Sequence, residues 1–518
     1  MIKTSINRHD IQYYLYAMAK AFYPKAVVEA PDTAEHNRLS DDEDKSEDIF
    51  CCVLSDSHMT VNISKGIWLN KDYSQVFDLS IPGEASALTD DSCKDEIRGI
   101  IYDVFSMMSG KKLPWGNLTG IRPTKLYLNK LLDEAKKTES DYSDESVVNT
   151  VIGRMRDIHR VGDEKGELAA EIAVREQKLL DSLSGSRGYS VYIGIPFCPS
   201  TCLYCSFTSN PIFSYKDMIG DYIEAVRKEL VNTSELMKDY ILDTIYIGGG
   251  TPTTLEAGQL DTLLGYIVDI LPMEHVREFT VEAGRPDSIT REKLEVLRKY
   301  PVSRISVNPQ TMSDKTLKFI GRNHTVGQLK DVYAMARELG FDNINMDIIL
   351  GLPGEEKEDI VNTIEEIKAM APDSLTVHSL AIKRASRLKQ VMDEKGVSQM
   401  DTDEAMDIAA RGAIEMGLHP YYLYRQKEMA GNLENTGFAR DGKYGLYNIL
   451  MMEEVQSIVA CGAGTVTKRL FPDGHIERCD TVKDVKLYIK EIDEMMERKR
   501  QLFADREKRK LKWKKRQY

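Results

Sequence analysis

Three cysteines lie close together in the stretch VYIGIPFCPSTCLYCSF. Cys198, Cys202 and Cys205 follow an apolar run and a proline, with the spacing CxxxCxxC. Three thiolates can hold three corners of a 4Fe–4S cluster, and the fourth iron then stays open for a substrate or cofactor. Incidental thiols and a zinc site are the alternatives, but zinc usually recruits four ligands in CxxC pairs and no histidine is near in the sequence. The spacing therefore favours a catalytic cluster.

The bulk properties are those of an ordinary globular protein. The chain has 518 residues, 42% hydrophobic and 29% charged, which is too long for a single core. No apolar run is long enough to span a membrane, and the N-terminus lacks the apolar segment of a secretory signal, so we expect a cytoplasmic protein. Eight cysteines, three of them clustered, do not suggest a disulfide framework.

The charge distribution limits the partners. A formal net charge of −13 argues against nucleic-acid binding. The segment from Arg498 to Tyr518 is instead basic, which predicts a charged C-terminal helix over 481–518. A solvated helix explains this segment, and a docking site for RNA, anionic lipid or a partner is the alternative.

Residues 1–185 predict an N-terminal α+β domain without obvious catalytic signals. The stretch Pro114–Leu126 holds glycine and proline at turn positions beside Arg122 and Lys125, which predicts either a structural turn or a basic contact loop. Periodicity predicts helices and antiparallel strands around it. The helices are Tyr13–Phe22, Lys94–Met108 and Glu167–Leu183, and the strands are Ile49–Leu54 and Met59–Ile63.

From Tyr189 onward, strand and helix patterns alternate. The strands are apolar runs, as expected in a buried parallel sheet, and six βα units in a row imply right-handed crossovers. We expect a partial (β/α)6 barrel over 186–385, with a doubly wound sheet as the alternative, and a lid-like C-terminal domain over 386–480. The six strands are predicted at Val191–Pro196, Thr244–Gly248, Glu278–Ala283, Ser303–Asn308, Asn343–Leu350 and Asp373–Ser379.

Polar residues and glycines recur where these strands end, which is where barrel enzymes assemble their sites. A run of glycines lets the backbone approach a ligand closely, although a tight structural turn needs the same residues. In strand order after the cysteine loop, these residues are Gly248–Pro252, Glu282, Asn308 with Gln310, Asp347, and His378.

Several motifs together indicate a family. YIGIPFCPSTCLYC, YIGGGTPT, EAGRPD, ISVNPQTM, IGRNHT and NMDIILGLPGE occur between Tyr189 and Lys468. Through them this region resembles the oxygen-independent coproporphyrinogen III oxidases (dehydrogenases), which are radical S-adenosylmethionine (SAM) enzymes of haem biosynthesis. The long N-terminal region, PWGNLTGIRPTKL and YYLYRQKEMAGNLENTGF are most similar to the longer, HemZ-type members.

The resemblance implies a 4Fe–4S cluster on Cys198, Cys202 and Cys205, with SAM bound beside it. Arg322 could clamp a carboxylate, and a surface ion pair is the alternative explanation for it. Some of the matching residues contact a second SAM molecule in the family. The implied SAM contacts are Tyr192, Gly249, Gly250, Thr251, Glu282, Gln310, Arg322, Asp347 and Ala381.

The resemblance also implies a reaction. An external flavodoxin- or ferredoxin-like donor reduces the cluster, and SAM cleavage gives a radical that removes hydrogen from a propionate of coproporphyrinogen III. Loss of carbon dioxide and one electron leaves a vinyl group, and two such events give protoporphyrinogen IX. A C-terminal lid would exclude water, and its expected lining is Tyr421, Tyr422, Tyr424 and Arg425, for which a tyrosine-rich packing seam is the alternative.

One position departs from the family pattern. The best-characterised branch has a further cysteine two residues after the third ligand, where this chain has Phe207. Phenylalanine at this position is typical of related haem-binding chaperones. The cluster needs only three ligands, so the departure bears on the reaction alone. The alternatives to the oxidase are therefore a haem chaperone and another radical SAM reaction on a tetrapyrrole.

Overall fold

The computed structural model describes residues 1–24, 26–30, 48–55, 57–79, 91–120, 122–206, 209–380, 387–396, 403–425 and 433–504. Among the helices of these ranges, none has both the length and the apolar character needed to cross a bilayer.

The chain begins with a five-stranded mixed sheet packed against two helices. Alternate residues of one strand, Met59, Val61 and Ile63, are buried in a core shared with the helices. Phe105 stacks on Phe50 at 4.2 Å between ring centroids in the same core. The predicted elements are confirmed, and three further strands join them. In chain order the elements are β1 (Ile2–Ile6), α1 (His9–Phe22), β2 (Val28–Glu29), β3 (Asp48–Leu54), β4 (His58–Ser64), β5 (Tyr73–Asp78) and α2 (Asp91–Ser109), with the sheet order β2-β1-β3-β4-β5.

Three helices follow, α3 (Pro123–Thr138), α4 (Glu145–His159) and α5 (Asp163–Leu180). Their core includes Trp115 and Tyr127, both fully buried. The predicted turn at Pro114–Leu126 therefore covers the entry into α3, where Pro123 occupies the first helical turn and needs no N–H partner. Its two basic residues bind the carboxyl end of a distant helix, α14 (Leu446–Glu453). Arg122 donates to Met452 O (2.9 Å) and Lys125 to Glu453 O (2.7 Å), which complements the negative end of a helix dipole.

Six parallel strands form the centre of the molecule, in the predicted order. Neighbours in sequence are neighbours in the sheet, without the reversal of order that defines a doubly wound fold, so the winding is that of a partial (β/α)6 barrel. The strands are β6 (Gly188–Ile195), β9 (Ile241–Gly249), β10 (Glu278–Glu282), β11 (Arg304–Ser306), β12 (Ile344–Leu350) and β13 (Ser374–Ser379). The short strands β7 (Phe197–Cys198) and β8 (Asn210–Pro211) pair within the cysteine loop. The surrounding helices are α6 (Ile219–Leu236), α7 (Ala257–Ile270), α8 (Arg291–Arg298), α9 (Asp314–Phe319), α10 (Val326–Glu338) and α11 (Lys357–Met370).

The two faces of this sheet differ in polarity. Outward residues such as Val191, Ile245 and Val281 belong to the large apolar core beneath the helices. In the register of the sheet, the alternate positions lie on the inner face, and most of them are polar or aromatic. Aligned inner residues include Tyr192 with Tyr246, Glu282 with Ser306, and Asp347 with Thr376. The apolar core therefore lies outside the sheet, and a polar lumen lies inside it.

Residues 419–480 supply both edges of this same sheet. At one edge β15 (Asn435–Ala439) pairs antiparallel with β13 and with β14 (His419–Tyr424). At the other edge β16 (Ser457–Cys461) pairs parallel with β6, and β17 (Val466–Leu470) and β18 (Ile476–Asp480) follow. The region expected to be a lid thus extends the sheet to eleven strands. The remaining helices are α12 (Arg387–Lys395), α13 (Asp403–Glu415), α15 (Val485–Lys490) and α16 (Ile492–Phe503), and the basic segment after residue 504 lies outside the described residues.

Candidate active site at the carboxyl ends of the parallel strands

The three predicted cluster ligands lie on the loop after the first barrel strand. Cys198 and Cys202 are each 8% exposed, and Cys205 is half-buried. Cys198 Sγ lies 3.5 Å from the hydroxyl of Thr251, which follows the glycine turn. Burial raises the pKa of the Cys198 thiol, and the neighbouring thiols of Cys205 and Cys202 raise it further. The fold therefore places three sulfurs and the glycine turn at one end of the barrel.

The donor set fits an iron–sulfur cluster. A cubane holds each thiolate on a different iron, so its ligands need not converge on one point as those of a single ion do. In the described ranges no three His, Cys, Asp or Glu side chains surround a single-ion site. Three buried or half-buried thiols lie on one loop, and an arginine donates to one of the sulfurs, so the loop could supply sulfur ligands and a stabilising charge to a cluster.

The glycine turn packs against the cysteine loop itself. Gly249 has φ +106°, and a Cβ on Gly250 would lie 2.5 Å from Phe197 O, so side chains are excluded at both positions. The backbone N–H groups of Gly250 and Thr251 donate to Ile195 O (2.8 Å) and Phe197 O (2.7 Å). The glycines therefore fix the end of the second strand against the loop that carries the thiols, in addition to the ligand contact that the motif implies.

Two carboxylates lie on the inner face near this end. Glu282 accepts a hydrogen bond from Tyr246 Oη (2.5 Å), and burial raises the pKa of Glu282 to about 7. Asp347 accepts from the side-chain amides of Asn308 and Asn345 at 2.7 Å each. Burial opposes ionisation of Asp347, but the His378 ring 3.9 Å away and hydrogen bonds from neighbouring polar groups such as Asn345 hold its pKa below the usual value. The site thus combines a firmly ionised carboxylate with one that titrates near neutrality.

Gln310 and Asn308 provide two buried acceptors without a protein partner. Gln310 Oε1 and Asn308 Oδ1 make no hydrogen bond, although the residues are only 6% and 8% exposed. Gln310 also has φ +67°, an uncommon backbone conformation for a residue with a side chain. Two hydrogen bonds to β12 hold this conformation, since the Gln310 N–H donates to Asp347 O and the Gln310 carbonyl accepts from Ile349 N, both at 2.9 Å. Unpaired acceptors in a strained segment fit a site that binds a polar ligand such as SAM.

Arg322 joins several parts of the site. Its Nη1 donates to Gly284 O and Asn308 O at 3.1 Å each, and Nη2 donates to Tyr204 Oη at 3.1 Å. The side chain is 8% exposed, so a surface ion pair does not describe it. Because its terminal nitrogens bind the ends of strands three and four and the cysteine loop, Arg322 holds the loop in place.

Sequence reasoning named Tyr192 but missed three further residues of this region, Tyr246, Tyr447 and Arg285. Tyr192, Tyr246 and Tyr447 form a stack inside the barrel, with 4.5 Å between the rings of Tyr246 and Tyr447. Tyr246 could have been found, because it lies two residues before Gly248 on the same strand face. Tyr447 had no local signal, since it comes from helix α14. Arg285, within EAGRPD, donates to Ser200 O and to Cys202 Sγ.

The expected lid residues divide between a packing seam and the site. Tyr421 is fully buried on edge strand β14. Arg425 donates to Leu118 O (2.7 Å) and lies over the Trp115 ring, and burial lowers its pKa to about 10, so Arg425 fastens the sheet to the N-terminal helices. Tyr424 Oη lies 3.5 Å from His378 Nδ1, and Tyr422 stacks on Tyr424 near Asp347 and Thr376, so these two residues lie beside the inner face of the barrel. Two other residues named from the sequence, Ala381 and Phe207, lie outside the described residues.

Comparison with known proteins agrees with this arrangement. The model of the radical SAM superfamily matches residues 192–367. The chain is thus a radical SAM protein, of a superfamily that uses a 4Fe–4S cluster and SAM, as the sequence predicted.

The relatives define the family more closely. The oxygen-independent coproporphyrinogen-III oxidase-like protein HemZ of Bacillus subtilis is 37% identical, over 86% of this chain and 88% of its own length. The chain belongs to this HemZ-like family. The heme chaperone HemW of the same organism is 32% identical over 50% of this chain and 66% of its own length. The structure of coproporphyrinogen III oxidase (HemN) from Escherichia coli aligns with a TM-score of 0.48 at 20% identity, covering 62% of this chain and 73% of its own.

Proposed function

We propose that this protein is a radical SAM enzyme that converts propionate side chains of coproporphyrinogen III to vinyl groups, giving protoporphyrinogen IX. The observation that carries the proposal is the junction of the cysteine loop with the glycine turn, where Cys198 Sγ and Thr251 Oγ1 are 3.5 Å apart at the mouth of a polar lumen. The family of the chain and the tetrapyrrole chemistry named for its relatives support it.

The residues divide between the two cofactors. Cys198, Cys202 and Cys205 would hold the cluster, and the inner-face carboxylates of Glu282 and Asp347 would face SAM. When bound, the reduced cluster and SAM together supply a radical able to take hydrogen from carbon. Carboxylates in a buried site attract the sulfonium and ammonium charges of SAM and repel propionates. The lumen therefore selects the cationic cofactor, and the acidic substrate lies outside it.

Apolar residues around the cysteine loop would keep the reaction dry. Leu388 and Met392, on helix α12, are buried in a small cluster with Ile320 and Leu352. Leu203 and Tyr204 of the cysteine loop pack against the same cluster. Excluding water protects reactive intermediates, which is the purpose expected of a lid. The electron would come from a flavodoxin- or ferredoxin-like donor in the cytoplasm.

A haem chaperone is the second candidate. It is favoured by Phe207, which replaces the further cysteine of the best-characterised oxidases, and by the relatives named heme chaperone HemW. Another radical SAM reaction on a tetrapyrrole would use the same cofactors. We favour catalysis because the oxidase-like relative matches 86% of this chain, whereas these two chaperone relatives match 50% and 56% of it.

Product analysis tests the proposal. Anaerobic, reconstituted protein is incubated with SAM, dithionite and coproporphyrinogen III, and protoporphyrin is measured after oxidation together with 5′-deoxyadenosine. We expect both products. Haem binding without either product would refute the oxidase and support the chaperone, and 5′-deoxyadenosine with a different tetrapyrrole product would support another radical reaction.

A matched pair of cysteine variants tests the cluster assignment. Cys202→Ala removes a proposed ligand, whereas Cys479→Ala removes a thiol of the same 8% exposure on β18. We expect Cys202→Ala to lose bound iron and the visible absorbance of the cluster, and Cys479→Ala to keep both. Full iron content in Cys202→Ala would contradict the assignment.

A further inference from the structure

Arg285 is a buried arginine aimed at one sulfur of the cysteine loop. It lies three residues after Glu282, beyond the end of β10, and is 3% exposed. Its Nη1 donates to Cys202 Sγ at 3.5 Å and to Ser200 O at 2.8 Å. One guanidinium nitrogen therefore donates hydrogen bonds both to the backbone and to a thiol of the cysteine loop.

The guanidinium is fixed in this orientation by Asp287. Nε and Nη2 donate to the two carboxylate oxygens at 2.9 Å and 2.7 Å, a bidentate pair that only arginine can make. The side chains of this pair are 4% and 14% exposed. Because one edge of the guanidinium is held by Asp287, the remaining nitrogen is directed at the loop.

Other charged groups near Cys202 do not duplicate this contact. Arg322 directs its Nη2 to Tyr204 Oη and its Nη1 to backbone carbonyls, so it reaches the loop through a phenol. His324 is buried nearby, and burial together with Arg322 lowers its pKa to about 4, so it is neutral at physiological pH. Asp287 offsets part of the charge of Arg285. The charge-assisted hydrogen bond to Cys202 Sγ thus comes from Arg285.

We propose that Arg285 is a positioning residue that sets the reduction potential of the cluster through its hydrogen bond to Cys202. The inference rests on the proposed role of Cys202 as a cluster ligand. One-electron reduction adds negative charge to the cluster and its thiolates. A donor and a positive charge at the sulfur stabilise the reduced form more than the oxidised form and so raise the potential. Burial strengthens the effect, because the local dielectric is low.

The test compares three variants of the full-length, anaerobically reconstituted protein. Arg285→Gln removes the charge, and Arg285→Lys keeps the charge but cannot hold Asp287 with two bonds while reaching the sulfur. Arg291→Gln is the control, because Arg291 lies on the adjacent helix in an exposed pair with Glu338. Iron and sulfide per chain are measured first. The midpoint potential of the cluster then follows from a dithionite titration with redox mediators, read by electron paramagnetic resonance.

We expect Arg285→Gln to keep its iron and to need a more negative potential for reduction. The reduced-to-oxidised ratio at a fixed potential should fall about tenfold, which is 59 mV for a one-electron couple. Arg285→Lys should lie between this variant and the wild type, and Arg291→Gln should match the wild type.

Two results would overturn the proposal. One is a midpoint potential of the cluster that is unchanged in Arg285→Gln. If only Arg285→Lys keeps its iron, an unchanged midpoint potential in Arg285→Lys has the same meaning. The other is loss of iron from both variants at an unchanged melting temperature, which would make Arg285 an assembly residue. Failure of the cluster assignment itself is distinguishable, because it would appear as full iron content in Cys202→Ala.

Discussion

A buried ion pair fastens the C-terminal helix α16 to the barrel, and its removal gives a quantitative prediction. Lys499 and Glu229 are both 0% exposed, with Nζ and Oε1 2.5 Å apart. Glu229 Oε2 also accepts from Gly462 N (2.7 Å) and from the hydroxyl of Tyr488. Lys499 donates in addition to Ala460 O. Helices α6 and α16 and strand β16 therefore meet at one carboxylate.

Lys499→Met should destabilise the fold by about 3–5 kcal/mol, because it leaves a buried carboxylate without its cation. The lower end is the better expectation here, since Glu229 keeps the two neutral donors from Gly462 and Tyr488. The double variant Glu229→Gln/Lys499→Met should lose less stability than the two single variants lose together, because no buried charge is then left without a partner.

Thermal unfolding followed by circular dichroism measures the effect. For a large domain, each kcal/mol lowers the melting temperature by about 2 °C, so Lys499→Met should melt about 6 °C below the wild type. The control is Arg500→Met on the same helix, where Arg500 is 47% exposed and pairs with Glu497 at 3.7 Å. Such surface pairs contribute about 0–1 kcal/mol. Equal melting temperatures for the two variants would refute the argument from burial.

Three further predictions follow from single residues. The pKa of Glu282 is raised to about 7, so SAM affinity should weaken as the pH falls from 8 to 6 and the carboxylate takes up a proton, whereas Glu282→Gln should bind SAM weakly at every pH. Equilibrium dialysis measures both affinities, and a steep pH dependence in Glu282→Gln would contradict the prediction. Asp48 accepts four backbone N–H groups, from Gly66 to Leu69. Asp48→Asn should therefore destabilise the five-stranded sheet by about 1–3 kcal/mol, seen as faster hydrogen exchange in β3 and not in the barrel. Gly462→Ala should lower the melting temperature more than Gly474→Ala. Both glycines have positive φ, but only a Cβ on Gly462 would lie against backbone, 2.5 Å from Gly194 O. Equal effects of the two substitutions would show that φ alone matters.

The barrel strands could be predicted from the sequence because each is a local pattern. Apolar runs separated by amphipathic helices fix both the strands and their sequential order, and the carboxyl ends of parallel strands must share one edge. That reasoning brought Cys198, Glu282 and Asp347 to the same end of the barrel, where the structure has them. It needed no knowledge of contacts between distant parts of the chain.

The inner face and the sheet edges could not be predicted in the same way. The strands were expected to be apolar throughout, yet inward positions such as Tyr246 and Glu282 are aromatic or charged, because they face the polar lumen and not the apolar core. Strand β16 is a short apolar run, and nothing local in it specifies parallel pairing with β6, far earlier in the chain. Long-range pairing of this kind depends on tertiary context, which periodicity does not contain.

The C-terminal region also determines the depth of the lumen. Helix α14 begins where Glu278, at the start of β10, accepts the N–H groups of Leu446 (2.5 Å) and Tyr447 (3.4 Å). Because β10 starts at the end of the barrel opposite the cysteines, this buried carboxylate seats the helix at the base. Tyr447 then stacks on Tyr246 and occupies the interior below Glu282.

The carboxylates above this filled base bear on which ligand charge the lumen would accept. At a separation of about 5 Å and an effective dielectric of about 20, one carboxylate attracts a cation by about 3 kcal/mol and repels an anion equally. With Glu282 and Asp347 on the same inner face, a propionate would be opposed at the position where SAM would be favoured. If the proposed function holds, the electrostatics would order the two ligands along the barrel axis, with the cationic cofactor inside and the acidic tetrapyrrole beyond it.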